Sequence, residues 1–280
     1  QSRSAASEGA RMRFRLALVG FGKVAQGFAK ILIEKRADLR RLFSFDCEVV
    51  AIADTVKGSV LNSNGLRLQR LLSLVQESGS IRDYSEGRKD LSPTEVITQS
   101  DANVLVETTW TNLADGQPGL NHMREALGKG LHVVTTNKGP IALAYHELAA
   151  LARRRGCHLR FEGTVLSGTP AISLAKENLA GSRINSIRGI LNGTTNYILD
   201  EMAAGKTYAR ALKKAQKFGY AEANPGSDTE GWDSAAKITI LANVLMGSRI
   251  KLTDVRREGI TGITPKDIRD SRARGKKIKL

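Results

Sequence analysis

The segment RLALVGFGKVAQG (15–27) joins a short apolar run to a glycine-rich turn and the start of an amphipathic pattern. RLALVG (15–20) has the length and composition of a strand buried on both faces. Gly20 and Gly22 permit a tight turn and a close backbone approach to a pyrophosphate. The helix that follows offers free N–H groups and the positive end of its dipole. The third position of the G-x-G-x-x-G spacing is Ala25, a residue accepted at that place, and Gly27 comes two residues later. Gly20, Phe21, Gly22, Lys23 and Val24 are therefore the candidate phosphate loop of a dinucleotide site. A strand–turn–helix that merely needs glycine is the plain alternative; the turn's place at the head of an alternating pattern favours the site.

Outward from this turn, apolar runs and helical patterns alternate. VAQGFAKILIEKRADLRRLF (24–43) reads as one long amphipathic helix and CEVVAIADT (47–55) as a second strand. Residues 57–86 read as loop and short helix. NVLVETTW (103–110), LHVVTTN (131–137) and CHLRFEGTV (157–165) read as strands, separated by helices at 120–130 and 144–156, each with a glycine stop. This alternation predicts an α/β fold with a Rossmann-type doubly wound parallel sheet and right-handed crossovers. Near residue 161 the texture changes to Gly- and Thr-rich turns, with helical patterns at 206–218 and 232–247. The expected organisation is a polar N-terminal extension (1–12), a nucleotide-binding domain (13–161) and an α+β catalytic and dimerisation domain (162–280). Asp54 ends the second strand. An acid there can hydrogen-bond an adenosine ribose 2′-OH, favouring NAD over NADP; Lys57 could instead meet a 2′-phosphate, and Asp54 could equally be a solvated loop residue.

Composition bounds the class. Of 280 residues, 41% are hydrophobic and 25% charged, ordinary for a soluble globular protein. No apolar run approaches the ~18–20 residues that span a bilayer. Two cysteines are too few for a disulfide framework and suit a reducing cytoplasm. The net charge is +15, of which +3 falls in residues 1–15 and +7 in residues 248–280. Basic ends attract nucleic acid or anionic surfaces, and solvated charge accounts for them equally. Nucleic-acid binding is not expected as the main function. The four histidines are scattered without metal-ligand spacing, and Trp110 and Trp232 read as packing residues.

A second cluster lies in GYAEANPGSDTEGWDSAAKITILAN (219–243). Asp233 and Lys237 share a face if 232–247 is helical. The plain reading is a surface ion pair worth about half a kcal/mol. Against it, Ala235, Ala236, Ile238, Ile240, Leu241 and Val244 mark much of this helix as buried. Glu222 and Asp228 lie just upstream, and TTNKGP (135–140) brings Lys138 to the end of a strand, where open α/β sheets place ligands. Carboxylates can hold a substrate ammonium, a desolvated lysine can exchange a proton near neutral pH, and a nicotinamide can exchange hydride. Together these suit an alcohol–aldehyde interconversion on an amino-bearing substrate.

The motifs GFGKVAQG, VVTTNKGP, FEGTVLSGTP, GILNGTTNYIL, GYAEANPGSD and EGWDSAAKITILAN, in this order, resemble the homoserine dehydrogenase family over about residues 13–280. Asp228-Gly231-Asp233-Lys237 is the most diagnostic piece. The resemblance implies NAD- or NADP-dependent interconversion of L-homoserine and L-aspartate 4-semialdehyde, in threonine, methionine and isoleucine biosynthesis. It implies Lys237 as the proton-transferring lysine and Lys138 as a second lysine near substrate and nicotinamide; sequence alone does not rank the two. It implies Glu222 and Asp233 as substrate carboxylates with Asp228 in support, Gly193 and Thr194 as a turn at the substrate pocket, and Thr109 as a nucleotide contact. It further implies a monovalent cation, usually sodium, on the backbone carbonyls of Glu162, Val165, Ser167 and Thr169, and a homodimer. Members usually continue for several tens of residues past the point where this sequence stops. The resemblance therefore implies an incomplete second domain, of the short form without a kinase-like or ACT-type regulatory segment. An inactive dinucleotide-binding relative and a basic nucleic-acid-binding protein are the alternatives.

Overall fold

A computed structural model describes residues 13–280; the expected polar extension 1–12 lies outside the described residues. The protein divides into two compact units, one of residues up to Pro140 together with Glu147–Phe161, the other of Ile141–His146 with Glu162–Leu280.

The first unit is built on a seven-stranded sheet: β1 (Arg13–Val19), β2 (Asp46–Asp54), β3 (Gly58–Leu61), β4 (Arg88–Lys89), β5 (Val104–Glu107), β6 (His132–Thr135) and β7 (Leu159–Arg160), in the order β4-β3-β2-β1-β5-β6-β7. β2, β1, β5, β6 and β7 run parallel. Leu16–Val19, Val49–Ala53 and Val104–Val106 are buried, as strands covered on both faces must be. The helices are α1 (Lys23–Glu34), α2 (Arg36–Phe43), α3 (Leu68–Ser78), α4 (Pro93–Gln99), α5 (Gly119–Lys129) and α6 (Lys138–Arg154). The strand order reverses on either side of β1, so the β1/β5 junction is the switch point at which such sheets bind ligands.

Four expectations change. The single helix over 24–43 is two, broken at Lys35 (φ −101°, ψ 7°). Helices in proteins hold mainly by packing an apolar face, and α2 fully buries none of its residues, with Leu39 only partly buried against the core, so packing does little to continue α1 through Lys35. The sheet is not wholly parallel: residues 55–57 turn back tightly after Asp54, whose carboxylate accepts the Val56 and Lys57 N–H groups, and β3 pairs antiparallel with β2 from Gly58. The strand over 157–165 shortens to Leu159–Arg160, because Gly163 opens a helical turn. The helix expected at 144–156 begins at Lys138 and bends at Ala144 (φ −137°).

The second unit carries α7 (Gly163–Leu166), α8 (Ala171–Ser173), α9 (Gly193–Ala203), α10 (Tyr208–Lys217), α11 (Gly226–Thr229), α12 (Trp232–Leu245) and α13 (Pro265–Ala273). Ile198, Leu199, Met202, Ala211, Ala215, Ile260 and Ile268 form a core between α9, α10 and α13. α12 buries Ala235, Ala236, Ile240 and Leu241 together with Asp233 and Asn243. All seven strands of the described residues lie in the first unit.

Candidate functional site

In the first unit, the candidate nucleotide residues gather at the C-terminal ends of β1, β2 and β5. Gly20 adopts φ +89°, and a Cβ there would stand 2.7 Å from the carbonyl carbon and oxygen of Thr108 and 2.9 Å from the Thr109 nitrogen. Only glycine lets the two loops lie this close. Gly22 begins α1 with no hydrogen bond from a capping residue, and a Cβ there would meet nothing within 4 Å. Among the described residues no side chain caps the first-turn N–H groups of α1, including those of Lys23 and Val24, as an anion-binding helix start requires. Phe21 is buried, and its N–H donates to Asp54 Oδ2 at 2.7 Å. These features fit a dinucleotide pyrophosphate.

Asp54 is more than a loop acid. Its carboxylate accepts the N–H groups of Phe21, Val56 and Lys57, and Lys57 Nζ stands 3.9 Å away. Burial pushes its carboxyl up, and those three donors, with the Lys57 ammonium, more than offset this, holding it below the usual carboxylate range. Three of the roughly four acceptor positions of an ionised carboxylate are used within the loop. Thr109 and Lys138 follow β5 and β6. Lys138 is the first residue of α6, whose N-cap Asn137 accepts the Gly139 N–H.

In the second unit, α11, α12 and the approach to α9 bring together Asp228, Asp233 and Lys237. Lys237 Nζ lies 2.7 Å from Asp233 Oδ2 and donates to the Leu191 carbonyl at 2.7 Å. The Lys237 and Asp233 side chains are 14% and 10% exposed, which rules out the plain surface ion pair. Between the carboxylates stands Asn192, 4% exposed, whose Nδ2 donates to Asp228 Oδ1 at 2.7 Å and Asp233 Oδ2 at 2.9 Å. Its Oδ1 accepts the Thr195 N–H and caps α9, which begins at Gly193. Sequence reasoning missed this residue. Asn192-Gly-Thr fits a glycosylation pattern, but burial and hydrogen bonds to Asp228, Asp233 and Thr195 make Asn192 the hub of the cluster.

Thr194 Oγ1 donates to the Tyr220 carbonyl rather than to the acids. Glu222 is exposed, and its carboxylate has no hydrogen bond or ion pair among the described residues. Glu162 accepts the Ile172 and Ser173 N–H groups at 2.8 Å; burial raises its carboxyl, and these donors bring it below the ordinary value. Val165 is buried in α7, Ser167 follows it at φ 52°, and the Thr169 carbonyl accepts the Ala171 N–H. Trp110 is 61% exposed, contrary to its reading as a packing residue, because it sits in the loop after β5 rather than in the strand. Trp232 stacks on Arg257, its ring centroid 3.4 Å from the guanidinium carbon.

Residues 20–162 match the family of homoserine dehydrogenase NAD-binding domains, and residues 170–280 match the homoserine dehydrogenase family. The chain belongs to the homoserine dehydrogenase family. It is 44% identical over 264 residues to homoserine dehydrogenase of Methanocaldococcus jannaschii, covering 94% of this chain and 78% of that one. It is 42% identical over 267 residues to the NAD(+)-dependent homoserine dehydrogenase of Pseudomonas canavaninivorans, covering 95% and 76%. A hyperthermophilic archaeal homoserine dehydrogenase mutant solved with NADPH superposes with a TM-score of 0.81 at 31% identity, covering 92% and 76%. This places the nucleotide loop and the acid–lysine cluster in an oxidoreductase family whose first domain binds NAD(P).

Proposed function

We propose that this protein catalyses the NAD(P)-dependent interconversion of L-homoserine and L-aspartate 4-semialdehyde. The observation that carries the reading is the buried Asp228–Asn192–Asp233–Lys237 cluster, closed by the Leu191 carbonyl. Gly20, Phe21, Gly22, Lys23 and Val24 would hold the cofactor pyrophosphate, Asp54 its adenosine ribose, and Thr109 would contact the nucleotide. The bound nicotinamide would supply the hydride acceptor for alcohol oxidation and the donor for the reverse.

The protein's own groups supply the rest. Glu222 and Asp233 hold the substrate ammonium, and Asp228 supports Asp233 through Asn192. Gly193 and Thr194 form the turn beside this pocket. Lys237, as a neutral amine, takes the hydroxyl proton during oxidation, and in its protonated form gives that proton to the alkoxide during reduction. The Leu191 carbonyl and Asp233 fix its direction. Lys138, placed at the start of α6, stabilises negative charge on the reacting oxygen. We further propose a sodium ion on the carbonyls of Glu162, Val165, Ser167 and Thr169, a homodimer, a cytoplasmic location and a place in threonine and methionine biosynthesis.

Absorbance at 340 nm with L-homoserine and either NAD or NADP tests the reading. Reduction of a cofactor that depends on homoserine is expected. A folded protein that binds NADPH without turnover would refute it in favour of an inactive relative.

A further inference from the structure

Glu107 ends β5 at the centre of the sheet and is 0% exposed. A carboxylate in such a place must be satisfied by donors or it would not be tolerated. Its Oε1 accepts the Thr109 N–H at 3.1 Å and also the Thr109 hydroxyl. Its Oε2 lies 3.1 Å from the Thr135 hydroxyl, which also reaches the Glu107 backbone carbonyl at 2.9 Å. His122, 6% exposed and on α5, turns an Nδ1 without a hydrogen bond toward Oε1 at 3.7 Å. Gly119 at the head of α5 leaves the space: a Cβ there would stand 3.2 Å from Oε1 and 2.6 Å from Asn137 Nδ2.

The network continues past the carboxylate. Thr135 Oγ1 accepts the Asn137 N–H at 2.9 Å. Asn137 Nδ2 reaches Thr109 Oγ1 at 3.3 Å and donates to the Trp110 carbonyl at 3.1 Å, while its Oδ1 caps α6. The carboxylate therefore ties two segments that come from different strands: the Thr109 loop after β5, and the Thr135–Gly139 turn that starts α6 at Lys138. A group serving stability alone could be replaced by a well-packed apolar residue. This one reaches the only two first-unit segments given roles beyond the glycine loop and Asp54.

We propose that Glu107 is a positioning residue for hydride transfer, setting Thr109 against the nucleotide and Lys138 at its working place through Thr135 and Asn137. This rests on the roles given to Thr109 and Lys138 above. Glu107→Gln keeps the shape and one acceptor but replaces the other by an amide nitrogen that cannot accept. Steady-state rates, NADPH binding by fluorescence titration and thermal unfolding are compared with Leu105→Ala, a control in the same strand that is also fully buried. Displacement of about 1 Å in a reacting group can cost roughly a hundredfold. Glu107→Gln is accordingly expected to lower kcat at least about tenfold and raise the NADPH Kd at least about threefold. The KM for homoserine, whose anchors lie in the second unit, should stay within about twofold. Leu105→Ala should lower Tm with kcat and Kd near wild type.

A Glu107→Gln protein that shows only the pattern of the control overturns the proposal. If that variant does not fold, Thr135→Val carries the test, since it separates the carboxylate from Asn137 while keeping the residue's shape. A fall in kcat is expected, and wild-type kcat and Kd would overturn the proposal. Should the wild-type protein fail to turn over homoserine, the functional reading fails, and the positioning role is then decided by the NADPH Kd alone.

Discussion

Replacing Gly20 with alanine puts a methyl group where the glycine loop touches the Thr108–Thr109 loop. Two costs add. At φ +89° an L-residue pays roughly 1–2 kcal/mol for the left-handed region. A Cβ 2.7 Å from the Thr108 backbone cannot be relieved by a rotamer change, so the backbone must move, at about 1–3 kcal/mol. Together the loss is about 2–5 kcal/mol, which at roughly 2–4 °C per kcal/mol lowers Tm by about 4–20 °C. The displaced loop should also weaken NADPH binding. Gly27→Ala is the paired control: it lies in α1, its Cβ would meet nothing within 4 Å, and helix propensity predicts an unchanged or higher Tm. Thermal unfolding by circular dichroism, with and without NADPH, reads both variants. A Gly20→Ala protein with the Tm and NADPH affinity of Gly27→Ala would refute the close packing of the two loops.

Lys237→Met should lower kcat by about 10²–10⁴-fold and depress Tm, because Asp233 stays buried without its cation; kcat within about threefold of wild type at 340 nm would remove Lys237 from proton transfer. Asn192→Ala removes the α9 cap and the donors between two carboxylates, costing about 1–3 kcal/mol in urea unfolding, with a raised KM for homoserine. Asp54, depressed in the folded state, stabilises the protein above the unfolded carboxyl value of about 3.9, and that stability is lost as pH falls through the lower folded value. Asp54→Asn should therefore shrink the stability difference between about pH 7 and about pH 3; an unchanged difference counts against this role.

The strands at the switch point were legible because they are apolar runs bounded by glycine turns, and the Asp233–Lys237 face because helical spacing pairs residues four apart. β3 was not, since the tight return after Asp54 rests on hydrogen bonds from a carboxylate to residues two and three further on, which no period reveals. α4 carried a signal that went unused: Ser92, Pro93 and Glu95 form a capping box with proline in the first turn. Asn192 and Glu107 were hidden for another reason. Their hydrogen-bond partners lie 28 to 41 residues away, apart from the nearest neighbours, and only folding brings a lone amide or a lone acid to the middle of a polar hub.

The sheet of the first unit ends on both sides in strands of two residues, Arg88–Lys89 with two cations and Leu159–Arg160 with one. A strand this short presents too few backbone groups to template another, and two such margins meeting would bring like charges together. When the unit is crowded or heated, its sheet should thus be a poor seed for edge-to-edge stacking, and exposed apolar side chains such as Val24, Ile31, Leu42, Phe43, Val56 and Trp110 should weigh more in its colloidal behaviour.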